Sequence, residues 1–215
     1  MALMFFVSGL FIWECPRRKG STSFLRDRIL RLGISFLFGV SVIVPITLFA
    51  SYLQSVDEPG FGAYCRAWWA LSYRPSGPMW FISMLLVFDI VAVGLFAFAP
   101  HWAERIGALA SRAGERPVRL FVFVLILSAL AYGPLALAYG PGAWTHWGLF
   151  QFQTSRPAHY FVYFIMGVAA GVHGLQQGLL SRDGKLARWW WLWALRAAVF
   201  GALAAGLVNS MLILK

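Results

Sequence analysis

Charge is scarce in this chain, and acidic charge scarcest, with eight Asp and Glu against eighteen Lys and Arg in 215 residues. Only 12% of residues are charged, well below the roughly 25% of soluble domains, while 60% are hydrophobic and the mean hydropathy is +0.70. A soluble domain of this length cannot hide that much apolar surface, so the soluble classes are excluded. Cysteine is nearly absent too. Cys15 and Cys65 fall at opposite ends of one apolar stretch, too far apart to bridge within a chain, so no disulfide framework is implied. There is no His-Glu-x-x-His, no cysteine pair and no carboxylate cluster, and no metal site is expected. Glycine-rich phosphate loops, internal repeats and low-complexity tracts are missing. The histidines, His101, His146, His159 and His173, are scattered, and none stands out as a catalytic base.

What is there is apolar length. A helix crosses about 30 Å of hydrocarbon with about 20 mainly apolar residues. Stretches 29–53, 78–99, 118–139, 158–175 and 189–214 meet or approach that length, and 1–13 is apolar throughout but shorter. In lipid the backbone must satisfy its own hydrogen bonds, which leaves helices or a closed barrel. The alternating ten-residue segments of a barrel are absent. The expected fold is all-α, a polytopic transmembrane helix bundle of about six spans in a single transmembrane domain over 1–215.

The net charge of +10 raises nucleic acid as a partner, but its distribution points to the lipid bilayer instead. Lys and Arg sit in the segments between spans: six in 14–31, two in 54–77, four in 100–119, one in 140–157, three in 176–188 and one at the C-terminus, with Arg196 inside the last span. By the positive-inside rule the first, third and fifth of these segments are cytoplasmic. Trp68, Trp69, Trp80, Trp144 and Trp147 then form an outer aromatic belt, with Trp102 and the Trp189–Trp193 cluster forming an inner one. Segments 54–77 and 140–157 are expected to be irregular, with turns at Pro59-Gly60, Ser76-Gly77-Pro78 and Gly140-Pro141-Gly142.

A few residues have the chemistry for a site. The run from Pro16 to Leu32 holds six basic residues, and its second half is expected to form the first turns of a span. Arg28 and Arg31, at i and i+3, would lie on one face of that helix. Paired guanidinium groups hold phosphate through forked, charge-assisted hydrogen bonds. The same residues also serve as a topology anchor snorkelling to anionic lipid, and composition alone leaves both open. In Gly77-Pro78-Met79-Trp80-Phe81, Pro78 suits a first helical turn and Trp80 an interface. Asp89 lies near the middle of its span, where a carboxylate marks either function or a structural tie to a neighbouring helix. Arg196 is close enough to the cytoplasmic side to snorkel.

Read together, Phe5-Phe6-Val7-Ser8-Gly9-Leu10-Phe11, Arg17-Arg18-Lys19-Gly20, and Phe24-Leu25-Arg26-Asp27-Arg28 through Arg31-Leu32-Gly33 resemble the acyltransferase-3 family of integral membrane O-acyltransferases. Gly77-Pro78-Met79-Trp80-Phe81 and Phe150-Gln151-Phe152-Gln153-Thr154-Ser155-Arg156, followed by Tyr163-Phe164 and Gly167, extend the resemblance along nearly the whole chain. The branch containing the glucans biosynthesis protein C group is the nearest in pattern.

The resemblance implies transfer of an acyl group, acetyl or succinyl, from a cytoplasmic acyl-CoA to a sugar hydroxyl of a cell-envelope glycan, in the bacterial inner membrane. The family's Arg-x-x-Arg element falls on Arg28 and Arg31, which would bind the donor's phosphates. Trp80 and Phe81 would shape the outward part of the substrate cavity. The family's essential histidine lies ahead of the Phe-Phe-x-x-Ser-Gly segment, so the chain is expected to start within a helix and to be truncated at both ends, an inactive fragment with no catalytic residue of its own. The rival is a transporter or flippase subunit for a glycan or lipid-linked precursor, with Asp89 and Arg196 lining its pathway; the absence of an inverted repeat weighs against it.

Overall fold

The computed structural model describes residues 1–13, 20–56, 60–71, 75–99, 101–114, 117–172 and 185–213. Cys15, Arg17, Arg18, Lys19 and His173 lie outside the described residues. The chain is a helical bundle, as its hydropathy predicts. In order come α1 (Ala2–Ile12), α2 (Ser21–Ser55), α3 (Phe61–Ala70), a 3₁₀ turn (Gly77–Met79) leading into α4 (Trp80–Phe98), α5 (Trp102–Gly114) and α6 (Pro117–Tyr139). Two strands follow, β1 (Trp144–Trp147) and β2 (Phe150–Gln153), and then α7 (Pro157–Gly171), α8 (Lys185–Arg188) and α9 (Trp190–Ile213). Among the described residues, α2, α4 with its 3₁₀ turn, and α6 are long and apolar enough to cross a bilayer, 3 where about six spans were expected. α1 and the described apolar part of α9 are shorter.

The centre of the bundle is the pair α1 and α7. Phe5 and Ile12 of α1 and Phe164 and Val168 of α7 are fully buried. The helices approach backbone to backbone because glycine lines both sides. A Cβ on Gly9 would collide with the carbonyl oxygen of Phe164, one on Gly167 with that of Phe6, and one on Gly171 with that of Leu10. Gly167 and Gly171 form a small-x-x-x-small stripe of the kind that lets membrane helices touch.

α2 carries an inward row at every fourth residue: Phe24, Arg28, Leu32, Phe36, Val40, Val44 and Leu48. Its apolar members are buried or pack against the two cores. In a regular α-helix a four-residue spacing drifts by about 40° per step, so this row would wind about 240° round the axis. Two π turns, Ile29–Gly33 and Gly39–Ile43, prevent that. Each takes up one extra residue, and the row completes close to six whole turns. The second π turn ends two residues before Pro45, which has no N–H for the Ser41 carbonyl and would crowd it in a regular helix. Tyr64 Oη of α3 donates to the Pro45 carbonyl at 2.6 Å, and Val44, Tyr64 and Trp68 form a second small core. Burial, with a smaller contribution from Cys65, pushes the Tyr64 phenol above its ordinary pKa, so it stays a donor.

The segments expected to be irregular hold regular elements in their described parts. Residues 54–77 hold α3, and 140–157 hold an antiparallel hairpin pairing Trp144 with Gln153 and Trp147 with Phe150. The hairpin docks on the bundle through Phe150, stacked on Phe36 of α2 at 5.8 Å, and through Gln151. The Gln151 Oε1 accepts from the backbone N–H of Ser76 at 3.1 Å, while its amide nitrogen meets His146 Nδ1 at 2.7 Å. Between α4 and α6, α5 lays Ala103, Gly107 and Ala110 inward, with Gly107 against Val172; its mixed composition hid it from a hydropathy reading.

Candidate functional site

The functional candidates converge where α2 meets α4. Arg28 leaves the inward row of α2 and reaches Asp89 of α4, with Nε 3.5 Å from Oδ2. Asp89 is wholly buried, and among the described residues neither of its oxygens has a hydrogen-bond partner. The Arg28 side chain keeps 25% of its exposure, and its Cζ lies 5.4 Å over the Phe24 ring one turn earlier, within cation–π range. The guanidinium carbon thus lies over an aromatic ring with Nε near a carboxylate, and its Nη groups have no hydrogen-bond partner among the described residues.

Arg31 is not brought to the same place. The expectation that it shares a face with Arg28 assumed regular α geometry. The π turn starting at Ile29 puts Leu32 on the inward row instead, and Arg31 is exposed. Arg26, Arg28 and Arg31 do lie on the first turns of a long helix, as the sequence indicates. Nor are Asp89 and Arg196 together: Asp89 takes Arg28, and Arg196 lies over the Trp193 ring at 4.9 Å.

Trp80 and Phe81 open α4 after Gly77, whose φ of 50° is left-handed and suits glycine. Both are half-buried in an aromatic cluster. Trp80 stacks on Tyr160 at 5.7 Å, and Phe81 meets Phe5 at 4.7 Å. Phe5 in turn stacks on Tyr160 at 4.9 Å and touches Phe88, next in sequence to Asp89, at 5.2 Å. One aromatic wall therefore runs from the start of α4 toward the Arg28–Asp89 pair.

A second polar pair escaped sequence reasoning. Ser128 Oγ of α6 lies 2.6 Å from His159 Nδ1 of α7, in a setting of Tyr132 and Tyr163 rings. Nothing in their spacing pointed to it. Among the described residues no group of three or more side chains with metal-ligating chemistry comes together.

A bundle of apolar helices with an arginine–carboxylate pair between two of them defines an integral membrane protein with a charged internal site. The chain belongs to the acyltransferase-3 family, whose acyltransferase domain profile matches residues 1–214. Glucans biosynthesis protein C of Salmonella gallinarum and its counterpart in Salmonella typhimurium are each 23% identical over 180 residues, 80% of this chain and 45% of the relative. The chain thus spans about half the length of the curated relatives it matches. No solved structure matches it.

Proposed function

We propose that the chain forms the donor-binding part of a membrane O-acyltransferase. It takes an acetyl or succinyl group carried on a cytoplasmic acyl-CoA toward a sugar hydroxyl of a cell-envelope glycan, in the inner membrane of a bacterium. The observation that carries this reading is Arg28, held over Phe24 and beside Asp89 with its Nη donors unpartnered among the described residues. A guanidinium so placed suits a phosphate. Coenzyme A offers a diphosphate and a separate ribose phosphate, so Arg28 and Arg31 on different faces of α2 take different phosphates of one donor. Trp80 and Phe81 border the outward part of the cavity, where the acceptor sugar enters. Family membership supports the reaction class. The relatives' name, glucans biosynthesis protein C, supports a glucan-like acceptor.

The test is equilibrium binding of coenzyme A to the purified chain in lipid nanodiscs. A hydrogen bond to a charged group contributes about 1.5–3 kcal/mol, so Arg28→Ala with Arg31→Ala should weaken binding by about 3–6 kcal/mol, more than a hundredfold. Affinity unchanged in the double variant, with membrane insertion intact, would overturn the donor site.

A further inference from the structure

We propose that Asp89 is the positioning residue of this donor site, holding the Arg28 guanidinium by its Nε edge so that the terminal Nη fork faces the incoming phosphate. The inference rests on the donor-site reading above.

Guanidinium offers five N–H donors in a rigid plane, and a phosphate is gripped best by two parallel donors on one edge. Which edge is offered depends on what turns the plane. Two contacts turn it here. The Arg28 Cζ lies 5.4 Å over the Phe24 ring, and Asp89 Oδ2 sits 3.5 Å from Nε. Together they leave the edge with both Nη groups unpartnered among the described residues.

A structural tie would look different. An arginine and a carboxylate locked for stability close to about 2.7–2.9 Å, commonly through two parallel bonds. This pair has one contact, longer than that, and among the described residues both Asp89 oxygens lack a hydrogen bond although the side chain has no exposure. A carboxylate buried at that cost with so little in return satisfies no neighbour except by its charge. Its effect is directional: it attracts the near edge of Arg28, so that an incoming anion would be met by the other. Loss of the carboxylate leaves a long, rotatable side chain with a free plane, and pre-organisation is lost.

The experiment measures coenzyme A affinity for the chain in nanodiscs, with wild type, Asp89→Asn, Asp89→Glu and Arg28→Ala in parallel. Asp89→Asn is expected to weaken binding about tenfold, the scale of one charge-assisted hydrogen bond. Asp89→Glu, which restores the carboxylate, is expected to recover most of that loss, and in an Arg28→Ala background Asp89→Asn should add nothing. Unchanged or tighter binding in Asp89→Asn, with Arg28→Ala weakened, overturns the positioning role and leaves the donor site standing. Equal loss in Asp89→Asn and Asp89→Glu overturns it as well, since the carboxylate would then not be what matters. No effect of Arg28→Ala removes the donor site and this inference with it.

Discussion

The close contact of α1 and α7 makes a prediction whose size follows from the geometry. In Gly167→Ala the new Cβ would collide with the Phe6 carbonyl oxygen and lie 2.9 Å from its carbon and 3.1 Å from its Cα. All three are backbone atoms, and ordinary contact for a Cβ begins at 3.4 Å. No rotamer change relieves the overlap, so the helices must separate along an interface that holds Phe5, Ile12, Phe164 and Val168 out of lipid. Overpacking of this kind costs about 3 kcal/mol, the upper end of its usual span. Alanine returns at most about 1 kcal/mol of helix propensity, which leaves a net loss of about 2–3 kcal/mol. Gly94→Ala in α4 is the matched control, because a Cβ there meets nothing within 4 Å; it should be neutral or gain up to about 1 kcal/mol. SDS titration of the chain in mixed micelles, followed by tryptophan fluorescence, reads both. If Gly167→Ala is as stable as wild type, or both variants shift in the same direction, the glycine-mediated contact is wrong.

Two further outcomes are expected. Gln151→Ala removes the acceptor that Ser76 uses and the cross-strand partner of His146, so hydrogen exchange at 144–153 should rise at least tenfold, by about 1.5 kcal/mol, while α1 and α7 keep their protection; equal rises in all three would show that the hairpin is not separately docked. Cys65 is half-buried in an apolar groove of about 320 Å³ with Phe49, Tyr64 and Trp68. An impermeant maleimide applied to intact cells should label it, and labelling confined to inverted vesicles would reverse the orientation drawn from the basic segments.

The long apolar helices were legible because lipid imposes one requirement on every residue of a span. What lies outside that requirement was not. α3, α5 and the hairpin mix polar and apolar residues, and their order comes from contacts with distant segments such as Tyr64 with Pro45 or Gln151 with Ser76. Asp89 stood out as a mid-span carboxylate and Arg28 as a basic residue at a helix start. Their pairing joins residues on different helices, and charge counting has no means of seeing it. The Gly167-x-x-x-Gly171 stripe was readable in the sequence as a packing face; that Gly9 completes it was not. Arg31 was misplaced for a narrower reason, the assumption that helical geometry is uniform.

The π turns of α2 amount to a reading frame kept in three dimensions. Between Phe24 and Leu48 the inward row stays in line because two extra residues have been absorbed, one on each side of Phe36. If either turn wound as a regular α-helix with all its residues kept, everything beyond it would rotate by about 100°. Val40 and Val44 would swing toward lipid, and the Tyr64 contact would lose its target. Removing one residue from the turn would instead restore the line, as a second frameshift restores the codons. Substitutions along this helix act locally; a change of length outside the two turns would be felt along the rest of the helix.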